Sequence, residues 1–163
     1  MGTRSGDIDP GVVFHLMRGG MSGEDVDTLL NKQSGVLGLS GVSDMRELRR
    51  LVADGDADAR LARDVYLHRL RKYVGAYAAV LGGIDVLTFT AGVGENDHTI
   101  RSGVVRDLKF LGLTIDPAAN EAASGEARVV SAGTGAEAPL VMGVPTNEEL
   151  AIARQAAALV GSV

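Results

Sequence analysis

Four segments of this sequence carry residue types at spacings that could do chemistry. The first is Val-Leu-Thr-Phe-Thr-Ala-Gly-Val-Gly-Glu-Asn-Asp over 86–97. A β-rich run enters a turn made of Gly92, Val93, Gly94, Glu95 and Asn96. Glycines let the backbone approach a ligand without a Cβ clash. The helix expected after Asp97 would offer free N–H groups and a positive dipole end, which suit phosphate. Asp97 stands where a dinucleotide fingerprint needs its third glycine, and no Gly-Lys-Ser/Thr follows as in a P-loop. A structural turn and a nucleotide-binding turn both fit this pattern.

The second segment is Gly-Thr-Arg-Ser-Gly-Asp-Ile-Asp-Pro over 2–10. A guanidinium in a glycine-rich loop can clamp phosphate or carboxylate oxygens bidentately, so Arg4 is either such a clamp or a solvated loop arginine. The third is Val-Pro-Thr-Asn-Glu-Glu-Leu over 144–150. Glu148 and Glu149 stand in the first turn of an expected helix, where the dipole alone favours acids. One of them could instead hold Mg²⁺, directly or through water. In the fourth, Ser43-Asp44-Met45-Arg46-Glu47, Asp44 and Arg46 could face a ligand, and capping explains Ser43 and Asp44 equally well. His15, His68 and His98 do not cluster, and no HExxH or GxSxG spacing occurs, which excludes those hydrolase classes.

The elements that must position these segments read as follows. Asp9-Pro10 starts a helix ended by Gly19-Gly20, and Ser22 with Asp25 starts a second. Residues 33–42, with three glycines, read as a compact loop. A third helix runs from Ser43 to about residue 53 and a long fourth over about 57–81. That helix carries Tyr66, Tyr73 and Tyr77 beside a stripe of aliphatics, which suggests burial on two sides. It is a core helix or part of a subunit contact. Strands are expected over 85–91, 111–115, 127–131 and 140–144. Asp97 caps a helix carrying Ile100, Val104, Val105 and Leu108, and Thr146 or Asn147 caps a last helix over about 148–160. A helical first half and an alternating second half predict an α/β fold, with helices on a small mixed sheet.

The whole chain bounds the function. Its 163 residues suit one domain with a sizeable core. Apolar residues at 45% and charged residues at 23% exclude low-hydrophobicity disorder. The absence of Cys removes disulfides, Cys-zinc sites and thiol nucleophiles. A net charge of −5 disfavours bulk attraction to nucleic acid or anionic membrane. No apolar run is long enough for a membrane span, and the first residues lack the apolar core of a signal peptide, so a cytoplasmic location is expected.

Taken in order, Gly2-Thr-Arg-Ser-Gly-Asp-Ile-Asp-Pro10, Asn31-Lys-Gln-Ser-Gly-Val-Leu-Gly-Leu-Ser-Gly41, Ser43-Asp-Met-Arg46, Phe89-Thr-Ala-Gly-Val-Gly-Glu-Asn96 and Pro145-Thr-Asn-Glu-Glu-Leu150 resemble the C-terminal half of the acetate kinases. The resemblance covers essentially the whole chain, 1–163. It implies one half of an actin-like ATPase (ribonuclease H-like) fold, a mixed sheet with helices and a helical insertion. It implies reversible transfer of the γ-phosphoryl group of ATP to acetate, with Mg²⁺, giving acetyl phosphate and ADP. Propionate and butyrate kinases are near relatives. By the same resemblance Arg4 is the catalytic arginine that stabilises the transferring phosphoryl group. Asp44, Met45 and Arg46 are a nucleotide-contacting segment, and Gly92, Val93, Gly94, Glu95 and Asn96 are the adenosine-side loop. Glu148 is the Mg²⁺-associated glutamate, and a homodimer contact falls to this half.

The sequence departs from the family in lacking the N-terminal half, with its carboxylate pocket and the phosphate loop that precedes Gly2. Met1 matches a position inside the family sequence. A chain inactive without its other half is therefore expected. A dimerisation or nucleotide-binding module without catalysis is the alternative, and a generic dinucleotide-binding domain is weaker for want of the third glycine.

Overall fold

The computed structural model describes residues 2–122, 125–133 and 138–160. Met1, matched above to a position inside the family sequence, lies outside the described residues. The chain forms two compact units, Met1–Lys72 and Tyr73–Val163.

The first unit is helical, and its helices begin where side-chain oxygens satisfy free backbone amides. In α1, Pro10–Arg18, the Asp9 carboxylate accepts from Gly11 N–H at 2.7 Å, and Pro10 supplies the first helical position. In α2, Gly23–Lys32, Ser22 and Asp25 form a reciprocal capping box. Residues 33–42, expected as a loop, contain a third helix, α3, over Gly35–Ser40. Its glycine and serine content disfavours a helix locally. Tertiary bonds override that preference: Ser34 N–H donates to Thr3 C=O at 2.9 Å and Leu37 N–H to Gly2 C=O at 2.8 Å. Gly41, at φ 74°, ends it in the left-handed conformation that glycine tolerates best.

Asp44 caps α4, Met45–Ala53, by accepting from Arg46 N–H at 2.8 Å. The long helix α5 spans Ala57–Leu81, as its sequence pattern predicts. Leu48 of α4, Val36 of α3, and Ala59 and Ala62 of α5 form the core of this unit, with Met45, Leu51 and Tyr66 packed against it. The alanines let α5 approach its neighbours closely. Among the described residues no helix is long and apolar enough to cross a membrane.

The second unit is built on a three-stranded sheet of order β1-β3-β2: β1 Val86–Phe89, β2 Arg128–Val129 and β3 Leu140–Gly143. β1 pairs parallel to β3 with Val86 opposite Leu140, and β2 pairs antiparallel with Val129 opposite Met142. Between β1 and β2 lie α6 (Ala91–Asn96), α7 (His98–Arg106), a 3₁₀ turn at Lys109–Leu111, and α8 (Pro117–Glu121). The expected strand over 111–115 is not formed. The 3₁₀ turn ends at Gly112 with φ 79°, and Leu113 is buried as a core plug, not a ladder member. Ile100, Val104, Val105, Leu108, Val130 and Val141 are the other buried aliphatics here.

The last helix, α9, spans Glu148–Val160, and every residue in it is exposed. Ile152, Leu159 and Val160 are among its large apolar side chains.

Two outcomes test this account. Leu48 is 1% exposed, so Leu48→Ala should lower unfolding free energy by about 2–5 kcal/mol, read from urea denaturation. The Arg46 guanidinium and amide, hydrogen-bonded to Asp44, hold its carboxyl well below the usual carboxylate range. A lowered folded pKa contributes stability above the unfolded value and loses it as pH falls. The stability gap between the chain and its Asp44→Ala variant should therefore be widest at neutral pH. It should shrink as pH drops below the ordinary aspartate value of 3.8, followed by urea unfolding at successive pH values.

Candidate functional site

In the first unit, the segment that carries Arg4 is laid along the junction of α2 and α3. Ser5 N–H donates to Leu30 C=O at 2.8 Å, and Thr3 Oγ1 donates to Asn31 C=O at 3.1 Å. The exposed Arg4 donates from Nε to Asn31 Oδ1 at 3.2 Å, and Asn31 Nδ2 donates to Asp27 Oδ1 at 2.8 Å. Asp27 thus orients Asn31, and Asn31 engages the guanidinium at its Nε edge. Asn31 was not singled out from the sequence as a site residue. Its signal was the Asn31-Lys-Gln-Ser-Gly run, which matches the family pattern.

The second predicted element of this unit stands close by. A Cβ on Gly2 would lie 3.6 Å from Ser43 C=O, so the segments bearing Arg4 and Asp44 run side by side. Asp44 receives Arg46 Nε at 3.1 Å and Nη2 at 2.5 Å besides capping α4. Both side chains are solvent-accessible at 43% and 86%, so an incoming ligand can reach this pair. Met45 packs its side chain against the core of the unit. Its backbone, not its thioether, is the part near the surface pair.

In the second unit, the expected glycine turn is a single short helix, α6. It is entered through Ala91 at φ 59°, a strained conformation for a residue with a Cβ. Its two glycines differ. A Cβ on Gly94 would sit 3.0 Å from the Phe89 carbonyl carbon, so this glycine serves close backbone packing. A Cβ on Gly92 would meet nothing within 4 Å and would project into open space. The Asn96 side chain donates to Gly92 C=O at 2.9 Å and closes the turn on itself.

The amides at the start of α7 are not a phosphate site. Asp97 Oδ1 accepts from Thr99 N–H at 3.0 Å and Ile100 N–H at 3.2 Å, so the cap occupies them. The sequence expectation of a free helix N-terminus after Asp97 is corrected accordingly.

Arg101, 1% exposed, fixes α6 from below. Its Nη1 donates to Gly94 C=O at 2.7 Å and Glu95 C=O at 2.9 Å. Its Nε and Nη2 donate to Asn120 Oδ1 and C=O, each at 2.6 Å. Asn120 is 1% exposed and donates to His98 C=O at 2.9 Å and Ser102 Oγ at 2.8 Å. Burial and the nearby Arg128 charge pull the Arg101 pKa down, and Asp97 opposes them. Sequence reading singled out neither Arg101 nor Asn120. The available signal was spacing: Arg101 sits between Ile100 and Val104 and four residues after Asp97, inside the helix's buried stripe. An open cavity of about 440 Å³ lies beside this network, lined by Glu95, Asn96, His98, Arg101, Glu121 and Arg128 among others.

Glu95 brings the two predicted elements of this unit together. Its Oε1 accepts from Thr146 N–H and Thr146 Oγ1, each at 2.9 Å. These bonds lower its carboxyl pKa. Thr146 is followed by Asn147 at φ 51° and then by Glu148, the first residue of α9. Among the described residues no group of three or more His, Cys, Asp or Glu could enclose a metal. Glu148, exposed at the start of α9, does fit Mg²⁺, which is commonly held by one or two carboxylates plus phosphates and water.

Comparison with known proteins gives this geometry its context. A model of the acetokinase family matches residues 1–154. The chain is 56% identical, over 99% of its length, to an acetate kinase of Streptomyces avermitilis. A crystal structure of an acetate kinase from Porphyromonas gingivalis superposes with a TM-score of 0.85 and 47% identity over 95% of the chain, covering 39% of that protein. A propionate kinase from Francisella tularensis superposes with a TM-score of 0.82 and 39% identity, over 92% of this chain and 38% of that one. The chain spans about 40% of the length of the curated relatives it matches. The fold is the actin-like ATPase type of these kinases. With every matched segment inside the family model and the same fold in its solved members, this chain belongs to the acetokinase family.

Proposed function

We propose that this chain is the nucleotide-binding C-terminal half of an acetate kinase. The whole protein would transfer the γ-phosphoryl group of ATP reversibly to acetate. The observation that carries the reading is 56% identity to an acetate kinase along 99% of the chain, spanning all five motif segments. Acetate is taken as the acceptor because the curated relatives at 55–56% identity are named acetate kinases.

In this reading a carboxylate oxygen of acetate attacks the γ-phosphorus, and the bond to the β–γ bridging oxygen breaks, giving acetyl phosphate and ADP. Phosphoryl transfer needs positioning and charge stabilisation more than covalent participation by the protein. Arg4, braced by Asn31, presents a guanidinium to the equatorial oxygens of the transferring group. Asp44 and Arg46 offer an accessible charged pair to the nucleotide. The open space over Gly92 admits the adenosine side. Glu148 would hold Mg²⁺, whose bound charge offsets that developing on the phosphates.

The exposure of α9 and the 40% share of the relatives' length support a chain that works with a further part. Tyr77, Val80 and Leu81, exposed at the end of α5, support a homodimer contact there. A monomer in sedimentation at high concentration would count against that contact.

The test begins with calorimetric titration of the chain with Mg·ADP. An acetyl phosphate assay follows, before and after adding the separately expressed N-terminal part of a relative. Binding is expected from the chain alone, with activity only on mixing; no binding and no rescue would overturn the reading. In the reconstituted enzyme Arg4→Ala should lower kcat by about 10²–10³ with little change in nucleotide affinity. Parallel loss of both would mark a structural arginine. Gly92→Val should weaken ADP binding while leaving the urea midpoint nearly unchanged, because its new side chain meets only open space. Unchanged affinity would remove the α6 turn from the site.

A further inference from the structure

Glu95 lies in the proposed adenosine-side loop, yet its carboxylate is turned along the protein surface. Oε1 accepts both the amide and the hydroxyl of Thr146, and its backbone carbonyl is held by buried Arg101. Two residues beyond Thr146 stands Glu148, the proposed Mg²⁺ ligand. The intervening Asn147 adopts φ 51°, and α9 opens on its carbonyl through Ala151 N–H at 3.3 Å. Non-glycine backbone in this region persists only where surrounding contacts over-determine it. Upstream, Val144 N–H donates to Phe89 C=O at 2.9 Å, and the bonds from Thr146 to Glu95 are the anchoring contacts nearest Asn147. The direction in which α9 starts, and with it the place of the Glu148 carboxylate, is therefore referred to the α6 turn.

We infer that Glu95 is a positioning residue: by gripping Thr146 it sets the Glu148 carboxylate relative to the α6 turn and so couples metal affinity to the bound nucleotide. The inference rests on the nucleotide-half reading above and assigns Glu95 a role distinct from touching the nucleotide. Groups that orient a metal ligand typically change metal affinity by 10–100-fold when removed. The coupling works through hydrogen-bond acceptance, so a side-chain amide oxygen can replace the carboxylate.

The experiment uses the chain as it stands, with Glu95→Ala, Glu95→Gln and Thr146→Val. Mg²⁺ is titrated into the ADP-saturated chain by calorimetry, ADP affinity is measured separately in chelator, and amide exchange is followed over 146–150. Glu95→Ala should lower Mg²⁺ affinity by about tenfold or more, speed exchange at Thr146, and cost less ADP affinity in chelator than in the presence of Mg²⁺. Glu95→Gln should retain most of both properties. Thr146→Val, which removes one of the two bonds, should fall between them, and it carries the test if Glu95→Ala does not fold. Unchanged Mg²⁺ affinity despite faster Thr146 exchange would overturn the coupling and leave the nucleotide reading standing. An equal loss of ADP affinity with and without Mg²⁺ would make Glu95 a direct nucleotide contact and likewise overturn it. Failure of the unsubstituted chain to bind ADP would remove both.

Discussion

A buried guanidinium holds the second unit's candidate site in place. Arg101 has almost no solvent contact, so its cation must be satisfied by the protein, and it is satisfied by carbonyl oxygens. Two of these belong to the α6 turn and two to Asn120, which in turn binds α7 through His98 and Ser102. Charge-assisted bonds of this kind are stronger than neutral ones, and losing one leaves a buried acceptor unsatisfied. One side chain thereby satisfies the C-terminal carbonyls of a helix too short to be stable alone. The entry strain at Ala91 is tolerated because the far end of the same turn is pinned.

The first unit solves a similar problem with weaker parts. Arg4 is exposed and could swing, but the backbone on which it sits is stitched to α2 and α3. Asn31 meets its Nε, and Asp27 orients Asn31. A guanidinium held at one edge keeps its other nitrogens available for a planar group of oxygens, the arrangement that bidentate recognition needs. Asp44 does two local jobs, capping α4 and pairing with Arg46, so a helix start and a surface ion pair share one carboxylate. Oδ1 caps α4 while Oδ2 accepts from Arg46 Nη2, so the capping bond and the exposed ion pair coexist on one side chain.

The glycines of α6 illustrate why residue type alone leaves function open. Gly92 and Gly94 look equivalent in the sequence. Gly94 lacks a side chain because the Phe89 backbone lies against it, whereas Gly92 faces open space. Only the second is positioned for a ligand to approach. On the proposed nucleotide reading, substitution at Gly92 reports on binding and substitution at Gly94, two positions on, reports on folding.

The sequence by itself determined the features whose causes are local. Asp9-Pro10, Ser22 with Asp25, and Asp97 mark helix starts through side-chain oxygens that reach their own nearby amides. The repeating apolar residues of α5 gave its full extent, and β1 and β3 were legible as short β-rich runs closed by glycine or proline. The ordered motif segments carried the family. Tertiary structure decided what depends on partners distant in the chain. α3 forms against its local preference because Gly2 and Thr3 bring carbonyls to its amides. The run at 111–115 stays out of the sheet because Gly112 turns it and Leu113 is taken by the core. Arg101 with Asn120, and Glu95 with Thr146, are 19 and 51 residues apart, and no local spacing rule reaches that far. Hydrogen bonds across such separations exist only once the chain has folded, and they are the ones that place the candidate site.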